Sequence, residues 1–118
     1  MMKTDSFTIC PWQEMASVIT HSSLTGKKLR SFLDFVFANY SPVVVICQSM
    51  ESSSYAYTFA QSGEAVDIVS LLKILTRWEM GWNLGDGILS SPRPSKLEPT
   101  DLQKAISAAR RKALAHKN

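Results

Sequence analysis

The chain has little of the chemistry that announces a reaction. Its 118 residues include only two cysteines and two histidines. These are Cys10, Cys47, His21 and His116, with no C-x-x-C and no H-x3-H pair, so no zinc-type ligand set is legible. His21 reads better as a helix-end residue than as a ligand. No metal and no cofactor are implied. A thiol nucleophile needs a base beside it, and Cys47 lies in an apolar, β-branched stretch that would raise its pKa and keep it inert. Asp86, between two glycines, reads as turn chemistry, and Ser52–Ser54 lacks a nucleophile elbow. No catalytic set is legible, and an enzyme is not expected; a thiol enzyme is the weakest of the readings.

Long apolar runs are also missing. The longest, Val43–Cys47, is far below the ~20 residues that cross a bilayer. Lys3 is followed by Asp5 and by no apolar h-region, so no signal peptide is expected. Met1 and Met2 leave the start open by one residue. Two cysteines in strand-like contexts suit free, buried thiols in a reducing compartment better than one disulfide, and a cytoplasmic protein is expected.

What is present is the composition of a globular domain, 45% hydrophobic and 19% charged. The net charge of +3 is unevenly placed. Residues 93–118 carry seven cations (Arg93, Lys96, Lys104, Arg110, Arg111, Lys112 and Lys117) against Glu98 and Asp101, a net +5 that leaves −2 for residues 1–92. A near-neutral body with a basic tail is a pattern about partners, not about fold.

Periodicity gives the elements. Residues 6–10 alternate and suggest a short N-terminal strand. Pro11 and the stripe Trp12, Met15, Ala16, Ile19 then predict a helix over about 11–21. Leu29, Phe32, Leu33, Val36, Phe37 and Tyr40 predict a helix over 26–39. Residues 43–48 and 55–60 read as a hairpin. A third helix, capped by Ser62, is expected over about 63–80. Its apolar arc is much wider than the roughly 100° a surface helix needs. Residues 81–99 hold three glycines and three prolines and read as a loop or linker. Thr100-x-x-Gln103 is a capping-box pattern opening a C-terminal helix over about 101–116. The expected fold is α+β: a small antiparallel sheet with helices packed on one face, in one domain over 1–80, followed by the linker and a basic helix (100–118) that could pack on the domain.

Two functional readings stand on these residues. The first is a non-enzymatic binding or regulatory protein, of inhibitor or adaptor type, that docks onto another protein or its own copy as a homodimer. It rests on the over-wide helix 63–80 and on Val66, Trp78, Met80 and Trp82, because Trp and Met are enriched at interfaces. Trp12 and Trp78 are expected in the core and Trp82 exposed. The second is a nucleic-acid-binding protein. It would use Arg93 and Lys96, in an extended basic segment of the kind that lies in a minor groove, with Lys104, Arg110, Arg111, Lys112 and Lys117. Lys27, Lys28 and Arg30 would add an anion site at the start of helix 26–39, where three cations oppose the helix dipole.

Overall fold

The computed structural model describes residues 7–12, 15–20, 26–50 and 54–110, with side chains from residue 26 onward. The fold is α+β, with three helices on a mostly antiparallel sheet. Six strands line up in the order β1-β2-β3-β4-β6-β5: β1 (Phe7–Trp12), β2 (Met15–Thr20), β3 (Val43–Ser49), β4 (Tyr55–Gln61), β5 (Asn83–Gly85) and β6 (Ile88–Ser90). Helix α1 (Gly26–Asn39) lies between β2 and β3 in the chain, α2 (Ile68–Trp78) follows β4, and α3 (Pro99–Ala109) follows β6. No helix among the described residues is long and apolar enough to cross a membrane.

The segment expected as a helix over 11–21 is instead an antiparallel pair, in register from Phe7↔Thr20 to Trp12↔Met15. Its Trp/Met/Ala/Ile spacing fits a helix, but Val18-Ile19-Thr20 is β-branched, and β2 is hydrogen-bonded on both sides, to β1 and to β3. Pairing on both flanks overrides a four-residue stripe. Pro11, expected to open a helix, lies on an edge strand, where a missing N–H is tolerated.

β2 and β3 run parallel, which requires the long crossover that α1 supplies. The helices therefore sit on both faces of the sheet and not on one. β3 explains why: Val43, Val45 and Cys47 join one buried cluster, while Val44 and Ile46 join the other. On the second face, Phe32, Leu33 and Val36 of α1 pack with Val44, Ile46 and Ala60. On the first, Leu71 and Leu75 of α2 and Leu102, Ala105 and Ile106 of α3 pack with Tyr57, Phe59 and Leu89. The C-terminal helix is thus part of the core over its described length. Its N-cap is Glu98, with Pro99 at N1 and the Asp101 carboxylate accepting the Glu98 N–H at 2.9 Å, two residues ahead of the Thr100 box. Residues 111–116 of the expected helix lie outside the described residues.

Helix α2 is shorter than its apolar pattern. The Gln61 side chain donates to the Val66 carbonyl at 2.9 Å and accepts the Val66 N–H at 3.1 Å, holding residue 66 out of the helix. Asp67, not Ser62, is the N-cap, accepting the Ser70 N–H at 3.2 Å. Residues 81–99, expected as a loop or linker, contribute β5 and β6. Their turn is Asp86-Gly87, both at positive φ (53° and 75°), the backbone of a two-residue type I′ hairpin.

Candidate functional site

The end of α2 is tied to the segment after β6 by one carboxylate. Glu79 leaves helical space (φ −155°, ψ 132°) while its N–H still donates to the Leu75 carbonyl at 2.8 Å. Its side chain then accepts three hydrogen bonds: from the Trp82 indole at 3.0 Å, the Ser95 hydroxyl at 2.6 Å and the Lys96 backbone N–H at 2.5 Å. Hydrogen bonds to a charged acceptor are the stronger kind, so this carboxylate anchors the segment. Gly81 makes the turn at φ 105°, where a Cβ would meet Pro92 Cγ at 3.2 Å.

Strand β4 grips the same segment from the other side. The Ser91 hydroxyl accepts the Tyr57 N–H at 2.8 Å, and the Ser95 N–H donates to the Tyr55 carbonyl at 2.7 Å. The Tyr57 hydroxyl donates to the Leu97 carbonyl at 2.7 Å. Burial, and after it electrostatic interaction with Cys47 and Glu98, pushes the Tyr57 phenol well above its ordinary pKa. The Trp82 ring stacks on Tyr57 (centroids 6.4 Å apart, planes 8° apart), and Tyr55 stacks on Tyr57 at 6.0 Å.

This frame inverts the expected roles of two tryptophans. Trp82 is 7% exposed and belongs to the core, whereas Trp78 is 47% exposed and Met80 87%. Val66 is 1% exposed, bridged to Arg110. Of the four residues expected at a protein interface, Trp78 and Met80 are therefore on the surface, and Val66 and Trp82 are not. The exposed cations Arg77, Arg93 and Lys96 belong to the same tied segments, and the Arg93 guanidinium donates to the Gln48 amide oxygen. Trp12 lies in β1, and its side chain is outside the described set.

The cations expected to bind nucleic acid are divided by the fold. Lys104 is exposed on α3. Arg110 caps that helix, partly buried, with its N–H on the Ser107 carbonyl at 3.4 Å. Arg111, Lys112 and Lys117 lie outside the described residues. Lys27, Lys28 and Arg30 are exposed on the first turns of α1, on the opposite face of the sheet from Glu79's helix. Sequence reasoning gave no functional role to Glu79, and placed Arg77 only on the polar arc of its helix. Glu79, three residues before Trp82 and at a helix end, is the residue a local hydrogen-bond search could have found.

The one hydroxyl–carboxylate pair in the Glu79 frame, Ser95 with Glu79, is buried, with Ser95 4% exposed. Cys47 is buried in β3 and not disulfide-bonded. No group of three His, Cys, Asp or Glu able to hold a metal occurs among the described residues. Comparison with protein-family models, with curated proteins and with solved structures yields no match to this chain.

Proposed function

We propose that this chain is a non-enzymatic docking protein, an inhibitor or adaptor, that binds a partner protein at the end of α2. One observation carries the reading: Trp78 and Met80 are exposed on a segment held firmly by Glu79. An exposed tryptophan on a rigid frame loses little entropy on binding, and Trp, Met and Arg are the residue types enriched at interfaces. The exposed cations of these segments are Arg77, Arg93 and Lys96, while the Glu79 carboxylate is spent internally. The partner that complements this surface carries an apolar anchor beside acidic side chains.

The test is a photo-crosslinking residue at position 80 in the full chain, with the captured species identified and its affinity measured after purification. The expected result is a distinct protein crosslinked through an acidic segment, bound at least about tenfold more weakly by Trp78→Ala. A crosslink to nucleic acid, with binding that falls steeply with salt, would replace this reading with the basic-surface one. A crosslink to a second copy would make the chain a homodimer instead.

A further inference from the structure

A second site lies on the other face of the sheet, where α1 meets the β5–β6 hairpin. A cleft of about 270 Å3 is lined by Gly26, Leu29 and Arg30 on one side and by Asn83, Gly85, Asp86, Ile88 and Ser90 on the other. Ser90 pairs with Asn83 and Ile88 with Gly85, so these four residues share one face of the hairpin. Arg30 and Asp86 bring opposite charges to the same cleft, yet they form no ion pair. Neither these two side chains nor those of Asn83 and Ser90 hydrogen-bond to any of the described residues. Leu29 and Ile88 are partly buried against the core and give the cleft an apolar floor.

We infer that this cleft is a binding site for a small zwitterion of the α-amino-acid class. A plain anion drawn to Arg30 would meet the Asp86 carboxylate, and a plain amine drawn to Asp86 would meet the guanidinium. A ligand carrying both charges satisfies both: its carboxylate pairs with Arg30 and its ammonium with Asp86. Asn83 and Ser90 supply further hydrogen-bonding groups, and an aliphatic side chain covers Leu29 and Ile88. The volume is just under the roughly 300–1,000 Å3 of sites for drug-sized ligands and suits a molecule of amino-acid size. The site is separate from the docking surface and does not depend on it.

The experiment titrates the full ¹⁵N-labelled chain with the proteinogenic amino acids, following backbone amide shifts. Two singly charged relatives of leucine serve as controls: 4-methylpentanoate, which lacks the amine, and 3-methylbutylamine, which lacks the carboxylate. Saturable shifts of the Gly26, Asn83 and Gly85 amides with an aliphatic amino acid are expected, with each control bound at least about tenfold more weakly. Asp86→Asn should abolish the preference over 4-methylpentanoate, and Arg30→Gln the preference over 3-methylbutylamine. Both residues are exposed, and Asn is readily accommodated at the positive φ of position 86, so both variants should fold. Failure of every amino acid to produce saturable shifts at these amides would overturn the inference. So would a control that binds as tightly as the amino acid.

Discussion

The indole N–H of Trp82 donates to the Glu79 carboxylate at 3.0 Å, three residues back along the chain. The same carboxylate holds Ser95 and Lys96, so one side chain joins the end of α2, the entry to β5 and the segment leading to α3. Glu79→Ala would leave the Trp82 N–H and the buried Ser95 hydroxyl without their acceptor. A loss of about 2–4 kcal/mol in chemical denaturation is expected. Glu79→Gln, which keeps one acceptor oxygen, should lose less. An alanine variant as stable as the parent would show that solvent replaces these bonds without cost.

The two tryptophans at this end should behave oppositely. Trp82→Ala opens a cavity beside Tyr57 and should cost about 3–5 kcal/mol. Trp78→Ala removes a half-exposed ring and should cost less than about 1 kcal/mol. Denaturation midpoints measured on both variants decide the matter. Equal losses would mean that Trp78 is packed and cannot serve as a docking anchor.

Position 81 tests the turn that brings these residues together. Gly81→Ala places a Cβ at φ 105° against the Pro92 ring and should destabilise by about 1–3 kcal/mol. Gly63→Ala is the control, since a Cβ there meets nothing within 4 Å and no positive φ is required. It should be neutral or stabilising by a few tenths of a kcal/mol. Thermal midpoints of the two variants give the contrast directly.

How much of this could be read from the sequence depended on whether a single strong signal governed the segment. Helix α1 was legible to the residue because five apolar positions from Leu29 to Phe37 share one stripe with no competing pattern, though Tyr40, placed in the same stripe, is 58% exposed. β3 was legible because apolar residues on both of its faces have no other use. The N-terminal hairpin was not, because Trp12, Met15, Ala16 and Ile19 satisfy a helical spacing as well as a strand, and the partner that decides is β3, some thirty residues on. The β5–β6 hairpin did leave a signal. Asp86-Gly87 between Asn83–Gly85 and Ile88–Ser90 is the type I′ dipeptide, but the prolines around it drew the segment toward a loop. Arg30 was singled out early for its unfavourable place on the helix dipole. Asp86 reads from the sequence only as turn chemistry, and its cleft-mates Asn83 and Ser90 carry no signal of their own, since only the pairing of β6 with β4 carries them to α1.

Cys47 gives a prediction about access. Its thiol is 5% exposed in β3, within the cluster that contains Val45 and Tyr57. A thiol reagent should modify it only when the sheet opens, far more slowly than in denaturant. Digestion and mass spectrometry separate its signal from that of Cys10. Fast labelling of Cys47 in the native protein would reopen the thiol-enzyme reading.

The last prediction concerns alkaline pH. The Tyr57 phenol is raised above its unfolded value, first by burial and then by electrostatic interaction with Cys47 and Glu98. The folded state therefore holds this proton more tightly than the unfolded chain, whose tyrosine titrates near pH ~10. Below that pH both states are neutral at this site, and the contribution of Tyr57 to stability is complete. Above it the unfolded chain ionises first, so stability falls as pH rises. Tyr57→Phe loses the bond to the Leu97 carbonyl and should be less stable at neutral pH by about 1 kcal/mol. The gap between parent and variant should narrow steadily above about pH 10, as the parent loses what the variant never had. Denaturation curves of both proteins at neutral and alkaline pH measure that gap. One that stayed constant across the range would show that the Tyr57 proton is held no more tightly in the folded state than in the unfolded one.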